Sequence, residues 1–156
     1  MRKLILVAAI VCAAGAATAQ DVTVKSKTDT KGFVGLNWTF GPHASGLEGV
    51  VGAMNYRIDP DGDVKGAKLS LHLGFGPGPV QGKIKLTGVA GQDDGMAELG
   101  LGYGSHGFFG TGGLLGDHWN VGGDLYFQNG WEGYAGLHSL TFDKPKAPAM
   151  VITPEQ

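Results

Sequence analysis

The chain has 156 residues, with 12 Lys and Arg against 14 Asp and Glu, five His and a single Cys. A net charge of −2 offers no cationic surface to a nucleic acid, and one cysteine builds neither a disulfide framework nor a thiolate metal site. Glycine is the conspicuous residue, 29 in all, while charged residues make up only 17% where an ordinary soluble domain carries about 25%.

Residues 1–19 read as a cleavable signal peptide. Arg2 and Lys3 precede an apolar run from Leu4 to Ala14 and the small-residue pattern Ala17-Thr18-Ala19, with cleavage expected after Ala19. The run is shorter than the ~20 apolar residues that span a bilayer as a helix. Val11 precedes Cys12 where a lipoprotein would have a small residue, so Cys12 leaves with the signal. Residues 20–31 are polar and unpatterned, an extended leader. Residues 32–142 form the domain, and 143–156, DKPKAPAMVITPEQ, form a Pro-rich flexible tail.

Inside the domain, Gly, Pro, Asn and Asp cluster at 41–46, 59–63, 76–82, 91–95, 104–107, 115–118 and 128–130, where they supply turn dihedrals. Eight segments remain, at about 33–40, 47–58, 64–75, 83–90, 96–103, 108–115, 118–127 and 131–142. None carries a helical period, and each glycine would cost a helix about 1 kcal/mol against alanine. The expected fold class is all-β: an eight-stranded antiparallel up-and-down barrel, with a sandwich as the other arrangement of the same strands.

Taken in order, the first segment sets Val34, Leu36, Trp38 and Phe40 against Gly35, Asn37 and Thr39. The third is the clearest, with Ala67, Leu69, Leu71, Leu73 and Phe75 alternating with Lys68, Ser70, His72 and Gly74. In the fourth, Ile84 and Leu86 oppose Lys83, Lys85 and Thr87; in the fifth, Ala97, Leu99, Leu101 and Tyr103 oppose Glu98, Gly100 and Gly102. The seventh sets Trp119, Val121, Leu125 and Phe127 against His118, Asn120, Gly122 and Asp124. The sixth and eighth carry apolar residues on both faces.

Such strands suit a soluble barrel with leucines inside or a membrane barrel with leucines outside. Small residues dominate the polar face, as the narrow lumen of an eight-stranded barrel requires. Aromatics gather at strand ends. With both termini on one side, Trp38, Phe40, Phe75, Tyr103, Phe109, Phe127 and Trp131 fall at one rim, and Phe33, Tyr56, Trp119 and Phe142 at the other, as two interfacial girdles would.

On these residues the domain resembles the small eight-stranded outer-membrane β-barrel proteins of Gram-negative bacteria. The resemblance implies an N-terminal signal, periplasmic termini, outer-membrane lipid as the surroundings and a lumen of mutually bonded polar side chains. The turns are short on both sides, 14 residues follow Phe142, and WEGYAGLHSLTF does not match the family's terminal assembly signal. Lys68, His72, Lys83, Lys85, Glu98, His118 and Asp124 are then the expected lumen network. Leu36, Leu69, Leu71, Leu73, Ile84, Leu86, Leu99, Leu101, Val121 and Leu125 are expected to face lipid.

No catalytic, cofactor or metal site is expected. His138-Ser139 would suit a lipid hydrolase, but neighbouring strand residues face opposite sides. The sequence at 59–63, DPDGD, lacks the glycine and glutamate positions of a hand-type calcium loop, and the histidines have no metal-ligand spacing. The expected role is non-enzymatic, in envelope structure, adhesion or interaction with an envelope or extracellular protein. The alternative is a secreted or periplasmic soluble barrel whose leucine face lines a pocket for a small apolar ligand; an outer-membrane lipid-modifying enzyme comes third.

Overall fold

Alternating side chains and closely spaced turns close this chain into a barrel. The computed structural model describes residues 25–43 and 45–144, and its strands are β1 (Lys27–Phe40), β2 (Gly46–Ile58), β3 (Asp63–Phe75), β4 (Gln81–Gln92), β5 (Gly95–Gly104), β6 (Gly107–Gly116), β7 (Trp119–Tyr126) and β8 (Trp131–His138). Each strand pairs antiparallel with its sequence neighbours, and β8 returns to β1, so no strand edge is left open. The all-β, eight-stranded antiparallel barrel is therefore the fold. The signal peptide and the tail beyond Lys144 lie outside the described residues.

Two boundaries differ from the sequence reading. β1 begins at Lys27, inside the supposed leader, because Lys27–Lys31 pair with Met54–Ile58 through backbone hydrogen bonds that need no apolar alternation. β8 stops at His138 rather than 142. Beyond it, Ser139 still bonds Val34, its N–H donating to the Val34 carbonyl at 2.9 Å, while Leu140 and Phe142 turn into the barrel end and are buried.

The register fixes the barrel's shape. The row Asp29, Tyr56, Gly66, Val89, Glu98, Gly113, Gly122, Tyr134 runs once around the wall and returns to β1 at Thr39, ten positions from where it began. Eight strands with that stagger tilt by roughly 40° and enclose a lumen just wide enough for side chains. Within it, rings lie across glycines: a Cβ on Gly102 would strike the Phe109 ring, and one on Gly122 would strike Tyr134.

One rim, the termini rim, carries the start of β1, the end of β8 and the turns β2–β3, β4–β5 and β6–β7; the far rim carries the other four. At the termini rim, Gly62 (φ 94°) closes 59–62, its N–H donating to the Asp59 carbonyl at 2.9 Å. Asp59, Asp61, Asp93, Asp94 and Asp117 all lie in these turns, whereas 41–45, 76–80, 105–106 and 127–130 at the far rim contain no Asp, Glu, Lys or Arg.

Leu36, Leu69, Leu71, Leu73, Ile84, Leu86, Leu99, Leu101, Val121 and Leu125 all point outward and are exposed. So do Trp38, Phe40, Phe75, Tyr103, Phe127 and Trp131 near the far rim, joined there by Phe108. Four aromatics assigned to girdles are instead interior: Phe33, Tyr56, Phe109 and Phe142 are at most 6% exposed. Strand parity explains three of them, since Phe33 shares a face with Asn37, Tyr56 with Met54 and Phe109 with Thr111. Phe142 lies past the strand and folds over the opening. Trp119 alone of the four at the termini rim stays outside, so that rim has no aromatic girdle.

Candidate functional site: an ion-pair network in the lumen

The interior has two halves. Toward the termini rim, Met54, Tyr56, Ile58, Val64, Val89, Met96, Leu115, Leu140 and Phe142 pack into an apolar plug, with Phe33 at its margin. Between that plug and the far rim lie the charged groups. A lumen polar throughout was the expectation; half of it is apolar, because β1–β5 turn large apolar residues inward as they approach the termini.

Lys83 is the centre of the network. Its ammonium meets Glu48 at 2.7 Å, Asp124 at 3.4 Å and Glu132 more closely still. Lys85 donates to Asp124 at 2.8 Å and lies 4.0 Å above the centroid of the Tyr134 ring, a cation–π contact. Lys68 pairs with Glu98, which also accepts from the Tyr134 hydroxyl at 3.0 Å and from Thr87 at 3.3 Å. The Tyr126 hydroxyl donates to Glu132 at 3.1 Å. Every one of these ions is buried, so each pairing offsets a desolvation cost of several kcal/mol.

Six of the seven expected lumen residues, Lys68, His72, Lys83, Lys85, Glu98 and Asp124, are thus brought together. His118 is not. It occupies the two-residue β6–β7 turn with φ 67°, exposed, because that tight turn needs a left-handed residue there. Glu48 and Glu132 are not in the expected set, although three lysines facing only Glu98 and Asp124 leave one positive charge uncompensated. Their strand parity was the available signal: Glu48 shares a face with Met54 and Tyr56, and Glu132 with Tyr134. Asn37, Ser70, Asn120, Tyr126 and Tyr134 also belong to the network.

One arm has the order of a nucleophilic relay. Ser70 Oγ lies 2.9 Å from His72 Nε2, and His72 Nδ1 lies 2.6 Å from Glu48 Oε1. Serine, imidazole and carboxylate in that sequence can activate a hydroxyl. Here Glu48 is also held by Lys83 and by Asn37 Nδ2 at 3.2 Å, and the cavity that Ser70 lines is about 20 Å³, room for one water and not for an ester. His138 and Ser139 are engaged apart from each other: Ser139 Oγ accepts from the Val34 N–H at 3.1 Å, and His138 Nε2 donates to the Trp119 carbonyl at 3.0 Å.

The far rim is capped by rings. His43 and His106 lie 4.4 Å apart between centroids, with Tyr126 beneath, and His43 Nε2 donates to the Asn129 carbonyl at 2.6 Å. Three of the four far-rim turns meet there. Among the described residues, no group of three or more His, Cys, Asp or Glu side chains is arranged to hold a metal ion.

Comparison of the chain with protein-family models, with curated proteins and with solved structures finds no match.

Proposed function

We propose that this protein is a small, non-enzymatic outer-membrane β-barrel of a Gram-negative envelope, with a sealed lumen and a structural, adhesive or interaction role. One observation carries the reading. Between Arg57 and Lys65 near the termini and the far-rim turns, every outward-facing position on all eight strands is uncharged, and most hold large exposed apolar side chains, while the ions are inside. Water would not tolerate that belt, since a soluble monomer rarely exposes a contiguous apolar patch beyond a few hundred Å². Lipid requires it, because a lysine at mid-bilayer on the outer face costs roughly 2–4 kcal/mol.

The belt's height also fits. An outward run such as Ala67–Phe75 rises about 20 Å along the axis at ~3.3 Å per residue and ~40° of tilt, a little under the ~25 Å of typical outer-membrane barrels. The soluble alternative needs the leucine face to line a pocket, and Leu69, Leu71 and Leu73 point away from the interior. For the enzyme, the enclosed Ser70 gives a substrate no approach.

Fractionation tests the proposal. The full chain, expressed with its leader in a Gram-negative host, is expected to sediment with outer membranes, to need detergent for extraction and to migrate faster unboiled than boiled. Recovery in the soluble fraction without detergent, with no heat-dependent shift, overturns it.

A further inference from the structure

We infer that one ordered water molecule is built into the barrel, in the cavity of about 20 Å³ between the ion-pair network and the apolar plug, bound by the side-chain carbonyl of Asn120. Ser70, Lys68, Lys85, Asn37 and Leu140 are among the groups that line this cavity with Asn120.

The chain of donors fixes which way Asn120 points. Glu48 can only accept, so Asn37 gives it Nδ2, at 3.2 Å. Asn37 therefore turns Oδ1 toward Asn120, which must answer with its own Nδ2, at 3.2 Å. Asn120 Oδ1 is left over. It is buried and receives no hydrogen bond among the described residues. An amide oxygen shut away without a donor carries its full desolvation cost, and native structures satisfy such groups.

The missing partner must be a donor small enough for the space. A cavity needs roughly 10–15 Å³ to admit a water, which then makes two to four hydrogen bonds. Lys68 and Lys85 on the wall disfavour a metal cation, and the Glu98 carboxylate disfavours an anion. Water suits both. It donates to Asn120 Oδ1 and accepts from an ammonium, since Lys68 and Lys85 each have three N–H groups and one carboxylate partner. So placed, it adds a link from Asn120 to the lysines beside the one that Lys83 already makes between Glu48 and Asp124. The site lies inside the barrel and does not depend on whether the outer wall meets lipid.

A crystal structure of the full chain at about 1.5 Å tests the site. The expected result is a single water peak within the ordinary ~2.7–3.2 Å hydrogen-bond distance of Asn120 Oδ1, absent from Asn120→Leu while the lysine–carboxylate pairs stay in place. No peak in the native cavity, a peak that survives in Asn120→Leu, or Asn120 Nδ2 turned to the cavity each overturns the inference. Should Asn120→Leu not fold, water relaxation dispersion on the native protein counts long-lived internal waters, and a count of zero overturns it equally.

Discussion

At the scale of single residues, Lys83 and Lys65 show what position does to the same side chain. Lys65 points outward beside the termini rim and is exposed; Lys83 holds Glu48, Asp124 and Glu132 together in the lumen. Lys83→Ala leaves three buried carboxylates without their shared cation and is expected to cost about 3–5 kcal/mol, read from urea unfolding in detergent micelles. Lys65→Ala should stay within about 0.5 kcal/mol in the same assay. At the termini rim, the Ser26 and Arg57 side chains hold the Asp59 carboxyl below its ordinary 3.8, with the Arg57 Nε donor at 3.1 Å. A lowered folded value means stabilisation that is present above the unfolded value and lost as pH falls through the folded one. Amide protection factors at 26–28 should therefore be flat at neutral pH and fall only below about pH 4, and Asp59→Asn should show the reduced protection at neutral pH.

At the scale of the strand, β3 states the rule for the wall. Leu71 and Ser70 are neighbours, one exposed at mid-wall and the other buried among the ions. Leu71→Lys is expected to lower barrel stability in lipid vesicles by roughly 2–4 kcal/mol, whereas Thr30→Lys, outward but near the termini rim, should cost about 0–1 kcal/mol. Equal, negligible costs at both positions would contradict a lipid-facing belt. Inward glycines set a second rule. Gly122 lies under the Tyr134 ring, so Gly122→Val must displace Tyr134 and break its hydrogen bond to Glu98. The expected penalty is about 1–3 kcal/mol, with Tyr134 fluorescence changing alongside it. Gly95, whose Cβ position is open space, should accept alanine without that change.

For the whole molecule, the lumen is closed twice, by paired ions toward the far rim and by the apolar plug toward the termini. Purified protein in planar bilayers is accordingly expected to show no stepwise conductance, and persistent single-channel steps would contradict a sealed barrel.

Much of this is written locally in the chain. Turn residues and period-2 alternation are enough to draw eight strands, and they put Leu71 and Lys68 on opposite faces, since both depend only on neighbours along the backbone. Lys68, Lys83, Lys85 and Asp124 could be grouped for the same reason. Other features depend on closure. Glu48 comes beside His72 and Lys83 through the β2–β3 and β3–β4 registers, which pair Val50 with His72 and His72 with Lys83, whereas Glu132 meets Lys83 across the lumen from β8 only because the barrel closes. Phe33, Tyr56 and Phe109 sit at strand positions that look like rims in one dimension, although alternation puts them on the inward faces; the register then lays Phe33 over Gly52 and Phe109 over Gly102. His118 left the network because a two-residue turn claimed its backbone. Which face is inside was decided by closure as well, because a lumen of this radius admits glycines, a few rings and a set of paired ions, and the leucines are left outside.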